Sequence, residues 1–263
     1  MIPEQHRREV ASSLAQATRD RAPIPPITET WPGFDVDDAY AVQTLVIDER
    51  LDTGATRVGW KVGLTSAAMQ KQLGVDQPDF GPLLNDMQTP SGGQIATAGL
   101  IAPRVEGEIA FRLGRDLAGP GVTVDDVTDA VTLALPALEI IDSRIADWRI
   151  ALADTIADHA SSAMFVVGDD GAPPEAVDLR AVELTLFVDG EAVDRGVGSA
   201  VLGDPLEAIA WLANTLGGYG QTLPAGDVIL AGALHASIPV KAGTQVEARF
   251  SDPALGTVSV AFS

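Results

Sequence analysis

Apolar residues recur at helical spacing mainly near the start of the chain. Over Glu4–Asp20, Val10, Leu14 and Ala17 fall four and three residues apart, which places one apolar stripe along a helix. Pro23, Pro25 and Pro26 break the chain after it. Asp35 is placed to cap a second helix from Val36 to about Leu51, with Ala39, Val42, Val46 and Ile47 inward and Gly54 as its stop. Beyond residue 55 the pattern changes to short apolar runs of strand type. Strands are predicted over Arg57–Leu64, Arg104–Leu113, Ala137–Ile141, Met164–Val167, Glu183–Val188, Val228–Ala231, Gln245–Phe250 and Thr257–Phe262. Helices are predicted over Ser66–Leu73, Asp125–Leu135 and Pro205–Leu216. Asp189–Gly190 is a type I′ hairpin signal. Asp169–Pro174 is a loop, but strand-like segments flank it on both sides, so it marks no domain split. The reading is α+β: a single catalytic domain with a small helical N-terminal layer (1–55) on a larger β-rich body (56–263).

Charge removes several partner classes. The chain has 263 residues, a formal net charge of −20 and no cysteine. A surface this acidic repels phosphate backbones and anionic lipid, and Lys and Arg cluster nowhere beyond Arg7–Arg8. No nucleic-acid partner is expected. No apolar run approaches the ~20 residues that cross a bilayer. The opening MIPEQHRREV lacks the apolar core of a secretion signal. A cytoplasmic protein with no membrane partner is expected, and the absence of cysteine fits a reducing compartment.

Chemistry concentrates in a few segments. In the predicted strand RVEGEIAFRL, Glu106 and Glu108 stand two residues apart and share a face. Two carboxylates that close need neutralising, and a hard divalent cation does this well. The competing reading is a solvated face, with Arg104 and Arg112 continuing the polar alternation. Glu139 lies among apolar neighbours in PALEIID, where an ionised carboxylate needs either a cation or an arginine such as Arg144 or Arg149. Three carboxylates together would suit Mg²⁺ or Mn²⁺. Lys61 sits in the apolar strand GWKVGLTS, either to bind a substrate carboxylate or move a proton, or simply on an outer face. Asp79 in QPDFGPLL could point into a site or serve as an ordinary turn residue. Ser161 and Ser162 could bond an anionic substrate, but no G-x-S-x-G elbow surrounds them. His6, His159 and His235 show no metal-type spacing; His6 reads as exposed, while His159 and His235 could line a site. The glycines of 114–121 and 217–220 match no phosphate loop, which excludes nucleotide binding.

Seven blocks in order carry a family resemblance: GWKVGLTS (59–66), LGVDQPDFGPLL (73–84), PRVEGEIAF (103–111), PALEIIDSRIADW (136–148), DTIADHASSA (154–163), VLGDPLEAIAWLA (201–213) and PAGDVILAGAL (224–234). Together they resemble the 2-keto-4-pentenoate hydratase / 4-oxalocrotonate decarboxylase family of the fumarylacetoacetate hydrolase superfamily. The resemblance implies a β-rich roll with flanking helices, and Mg²⁺ or Mn²⁺ held by Glu106, Glu108 and Glu139. It implies acid–base work by Lys61 and Asp79, and a substrate carboxylate bound by Ser161 with the backbone near Leu84. It also implies a homo-oligomer built of pentamers, a pentamer or a decamer. Two positions depart from the family pattern: His159 stands where Asn is usual, within reach of the substrate, and Ala163 where Gly is common.

The implied reaction is hydration of 2-hydroxypenta-2,4-dienoate, a small 2-hydroxy/2-oxo acid from aromatic-ring catabolism, to 4-hydroxy-2-oxopentanoate. Family decarboxylases tend to lack the Asp of the Pro–Asp–Phe–Gly segment, so Asp79 favours the hydratase. The alternatives are decarboxylation of 4-oxalocrotonate (2-oxo-3-hexenedioate), or a non-catalytic partner subunit, which would need neither Lys61 nor the three carboxylates.

Overall fold

The computed structural model describes residues 1–263 apart from 68, 69, 72–74 and 76. The helix expected over Ser66–Leu73 falls partly outside the described residues. Three helices open the chain: α1 (Glu4–Asp20), α2 (Ile27–Thr30) and α3 (Val36–Asp52). α1 buries the expected stripe of Val10, Leu14 and Ala17. Asp35 and Asp38 form a reciprocal capping box at the start of α3. The same buried Asp38 accepts from the Ile2 amide and from Arg7, which ties α1 to α3. Val46, expected inward, is only half-buried, and Gln43 is buried instead. Its amide donates to the carbonyls of Phe80 and Ile156, at 3.0 and 2.9 Å, so the helical layer is bonded to the body beneath it.

The body holds two sheets. The first contains β1 (Arg57–Gly63), β2 (Asp79–Leu84), β3 (Gln88–Pro90), β5 (Arg104–Leu113), β6 (Val131–Ile141), β7 (Ser162–Val167), β10 (Val228–Ala233) and the short β11 (Ile238–Pro239). Its order is β2-β1-β10-β5-β6-β7-β3, with β11 also on β5. The second contains β4 (Gly93–Ile95), β8 (Glu183–Val188), β9 (Glu191–Val197), β12 (Gln245–Phe250) and β13 (Thr257–Phe262), in the order β4-β13-β12-β8-β9.

Connectivity forces the first sheet to curl. Laid flat, the six steps from β2 to β3 would separate them by roughly 29 Å at ~4.8 Å a step. Only Asn85–Met87 join the two edges, a link of at most about 14 Å from Leu84 to Gln88. The sheet therefore closes into a roll. One end of its inner face is plugged by an apolar cluster that includes Leu83, Ala110, Leu135, Ala137, Phe165, Val167 and Leu230. The outer face packs on the helix Pro205–Gly218 and the second sheet through the largest core cluster.

Two local expectations are corrected. The helix predicted over Asp125–Leu135 spans only Val124–Ala130, and Val131 begins β6. A Thr123–Asp126 capping box starts that helix, but the run VTLALPALEII is more useful as a strand buried on both faces. Asp79 is no turn residue: it opens β2, every residue of which is buried. The hairpin signal holds, since Asp189 and Gly190 have φ of 51° and 84° and join β8 to β9.

Gly59 lies opposite Val228 in the parallel β1–β10 pair, and a Cβ there would sit 1.8 Å from the Val228 carbonyl oxygen. Gly59→Ala is predicted to cost about 3 kcal/mol or more, because strands rather than a flexible side chain must part. Gly99→Ala meets nothing within 4 Å and should stay within about 0.5 kcal/mol of the parent. Urea unfolding of the two variants checks the difference.

Candidate metal centre and active site

Pairing of β5 with β6 assembles the site. Glu106 lies directly opposite Glu139, and Glu108 opposite Ala137. Paired residues share a face, so all three carboxylates project into the roll at the open end of its apolar plug. One oxygen from each lies within 4.8 Å of the others. Two charges at that spacing repel by on the order of 3 kcal/mol at an effective dielectric near 20.

Lys61 and Asp79 enter the same space from β1 and β2. Lys61 is 4 % exposed, within 3.4 Å of Glu139 Oε2, and donates to the Ala160 carbonyl at 3.0 Å. It is therefore an interior lysine, not one on an outer face. Gly63, opposite Asp79, leaves room for both groups: a Cβ there would lie 2.2 Å from Asp79 Oδ1 and 3.0 Å from Lys61 Nζ.

Four carboxylates thus surround one ammonium, and the electrostatics reflect it. Burial, then the Glu139 charge, pushes Glu106 up to about 7. Burial and the charges of Glu139 and Glu106 hold Glu108 well above the usual carboxylate range. Burial raises Asp79, with Lys61 partly opposing. Burial alone would depress Lys61, but Glu139, Asp79, Glu106 and Glu108 together raise it.

The residues fit a divalent cation. Among the described residues, both Glu139 oxygens are buried and accept no hydrogen bond, a costly state unless another charge meets them. The donor set is all oxygen, which suits a hard ion such as Mg²⁺, Mn²⁺ or Ca²⁺. Glu108 is already oriented, since the Gly232 amide donates to its Oε2 at 2.8 Å. The arginines considered for Glu139 are engaged elsewhere: Arg144 pairs with Asp158, and Arg149 with Glu29 at the surface.

A strained turn covers the cluster. After the helix Leu152–Ala157, the consecutive residues His159, Ala160 and Ser161 adopt φ of 58°, 49° and 55°. Left-handed conformations at non-glycine residues cost about 1–3 kcal/mol each and need a surrounding framework. Here the framework is the buried Arg144–Asp158 pair, the Asp142 amide donating to the Ser161 carbonyl at 2.8 Å, and the Ser161 amide donating to the Asp158 carbonyl at 2.9 Å. His159 Nε2 bonds the Pro82 carbonyl at 2.6 Å. Burial drives His159 down to about 3, so the ring is neutral and Nε2–H is the donor. It fills the space above Gly81, where a Cβ would lie 3.0 Å from His159 Cδ2.

The turn delivers three groups. The Ala160 carbonyl meets Lys61. Ser161 Oγ lies 3.3 Å from Thr155 Oγ1. Ser162 Oγ is buried without a hydrogen-bond partner among the described residues.

The structure therefore brings Lys61, Asp79, Glu106, Glu108, Glu139, His159 and Ser161 together. Leu84 lies three residues beyond Gly81 on β2, with its side chain in the apolar plug. His6, expected to be exposed, is half-buried against Trp31 in the helical layer, with ring centroids 4.5 Å apart and planes tilted by 40°. Thr155, Gly63, Gly81 and the Arg144–Asp158 pair were not anticipated individually.

Residues 60–262 match the fumarylacetoacetate (FAA) hydrolase C-terminal family. The chain is 45% identical over 262 residues to the 2-keto-4-pentenoate hydratase of Paraburkholderia xenovorans (strain LB400), covering 100% of this chain and 96% of that protein. It is 42% identical over 252 residues to the 2-hydroxyhexa-2,4-dienoate hydratase of Comamonas testosteroni, covering 95% of each. Its structure superposes on the solved 4-oxalocrotonate decarboxylase from Pseudomonas putida G7, complexed with magnesium and adipate, with a TM-score of 0.96 at 35% identity, over 100% of this chain and 99% of that one.

The raised carboxylates make a signed prediction. A carboxyl whose folded pKa is about 7 against an ordinary 4.5 binds more protons folded than unfolded between those values. With chelator present, stability should therefore fall as pH rises through that window, by at most on the order of 3 kcal/mol from Glu106. Thermal melts in chelator at pH 5 and 8 should show the fall, and Glu106→Gln should flatten it. A parent protein equally stable at both values would contradict the crowded-carboxylate geometry.

Proposed function

The chain belongs to the fumarylacetoacetate hydrolase family, and we propose that it is a divalent-metal-dependent hydratase, a hydro-lyase that converts 2-hydroxypenta-2,4-dienoate to 4-hydroxy-2-oxopentanoate. The observation that carries this reading is the meeting of three carboxylates, Glu108 and Glu139 buried and Glu106 half-buried, with Lys61 and Asp79 in one space. The hydratase names of relatives at 42% and 45% identity over nearly the whole chain support the reaction class.

Glu106, Glu108 and Glu139 would hold Mg²⁺ or Mn²⁺. A bound divalent cation would supply Lewis-acid polarisation of the substrate's C1 carboxylate and C2 oxygen. Lys61 and Asp79 carry the protons. The C2 hydroxyl proton leaves and a proton arrives at C5, giving the 2-oxo-3-enoate. Water then adds its oxygen at C4 and a proton at C3. Asp79 suits proton exchange because burial raises it above the ordinary carboxylate value, with Lys61 partly opposing. Its Oδ1 is buried with no partner of its own, which leaves it able to orient the water. Ser161 binds the C1 carboxylate, with Thr155 beside its hydroxyl. His159 lines the site as a neutral ring that fixes the turn. Leu84 contributes through the apolar plug beneath the site.

The proposal includes a homo-oligomer, pentameric or decameric, which native mass would read. It also includes a cytoplasmic location; among the described residues, no helix is long and apolar enough to cross a membrane. The second reading is decarboxylation of 4-oxalocrotonate, favoured by the likeness to a solved decarboxylase.

Product analysis tests the assignment. Incubation with 2-hydroxypenta-2,4-dienoate and Mg²⁺ should yield 4-hydroxy-2-oxopentanoate, and chelator should stop it. No turnover, with CO₂ released from 2-oxo-3-hexenedioate, would transfer the assignment to the decarboxylase. Glu139→Gln should abolish metal-dependent turnover in a folded protein. Lys61→Ala should lower kcat by roughly 10²–10⁴-fold while changing metal affinity far less; wild-type kcat would remove Lys61 from the mechanism.

A further inference from the structure

The segment following β10 lies behind the carboxylate strand and has no part in the reaction above. β10 pairs with β5 as far as Ala233 opposite Glu108, and β11 resumes with Ile238 opposite Val105. Between those points the ladder is interrupted beside Glu106 and Gly107. In an unbroken antiparallel ladder, one facing residue would take both the N–H and the C=O of Gly107. Here the Leu234 amide still donates to the Gly107 carbonyl at 3.0 Å, but no facing carbonyl accepts from the Gly107 amide.

The His235 ring takes that place. Its Nε2 accepts from the Gly107 amide at 3.0 Å. Its Nδ1 lies 2.7 Å from the Ala236 carbonyl, which makes Nδ1 the protonated nitrogen and leaves Nε2 its lone pair. The side chain is 1% exposed, with Asp194 Oδ2 3.7 Å from Nδ1. The interrupted segment is itself anchored, since Arg104 donates to Ser237 Oγ and O at 2.7 and 2.6 Å. A Cβ at Gly107 would lie 2.9 Å from His235 Nε2 and 2.8 Å from Leu184. The close approach thus requires glycine, which is also the residue least able to hold its own conformation.

We propose that His235 is a positioning residue for the metal centre. Its imidazole replaces a missing ladder carbonyl, clamps Gly107, and so holds the Glu106 and Glu108 carboxylates on either side at the spacing a divalent cation needs. The inference rests on the metal-site reading above. His235 touches neither substrate nor ion, and acts only through the backbone between two ligands.

Mn²⁺ titration of chelator-stripped protein, read by the electron paramagnetic resonance of the free ion, tests it. His235→Gln keeps an acceptor and should bind Mn²⁺ within about threefold of the parent, whereas His235→Leu fills the space without one and should bind about 10–100-fold more weakly. Melts in chelator confirm that both fold; His235→Ala replaces the Leu variant should that one not fold. Equal affinity in parent, Gln and acceptor-free variants would overturn the proposal, and so would equal losses in both variants. A parent that binds no Mn²⁺, like Glu139→Gln, would overturn the metal reading instead.

Discussion

The register of β5 against β6 is the constraint on which the rest depends. Because side chains alternate, a slip of one residue on either strand would turn its carboxylates to the opposite face. With Glu106 opposite Glu139, three acids enter the roll beside an apolar plug. No local preference favours that arrangement, since like charges drawn from water repel. It persists because apolar neighbours on the same strands, among them Ala110, Leu135 and Ala137, are committed to the same inner face. Hydrophobic burial at one end of the roll thus holds together a charge cluster at the other.

A second layer of buried charge supports the first. The Arg144–Asp158 pair touches neither Lys61 nor the carboxylates, but it fixes the helix end from which the left-handed residues 159–161 depart. Burial still pushes Asp158 up to about 6 despite the guanidinium, so the pair is not a cheap source of stability. Its value is positional: the turn sets the Ala160 carbonyl against Lys61 and keeps Ser161 near Thr155. Lys61 is then held from two sides, by a carbonyl above and by Glu139 beside it, which leaves its ammonium little freedom of direction.

Much of this was legible in the residues. The isolation of Glu139 in an apolar run pointed to the interior, whereas the alternation of Glu106 and Glu108 and the lysine in an apolar strand suited either an interior site or an outer face. What local pattern could not supply was register, which depends on contacts across 33 positions of sequence between Glu106 and Glu139. The resemblance grouped these residues without explaining how the chain brings them together. Asp79 was ambiguous because Pro-Asp-Phe-Gly carries turn chemistry, whereas pairing with β1 makes it a strand residue. The Ala130–Val131 boundary was missed because a buried strand and a buried helix share one apolar pattern over a few residues. The left-handed conformations of His159, Ala160 and Ser161 had no signal at all, since none of the three is glycine and the strain is imposed by partners distant in sequence.

The closeness of hydratase and decarboxylase relatives follows from the same geometry. Both reactions need a place for negative charge to develop on the C2 oxygen; on the proposed reading, a divalent cation held by the three glutamates, with Lys61 beside it, would supply that place whichever bond is broken. The two diverge in what must be supplied at the far end of the conjugated chain. A hydratase must deliver a proton to carbon and position water, whereas a decarboxylase must let a carboxylate leave. A buried acid beside the electron sink serves the first task, while its charge when ionised would oppose a second substrate carboxylate nearby. On the proposed reading, Asp79, raised by burial and open at Oδ1 among the described residues, would be the residue at which this roll departs from a generic charge sink toward one reaction.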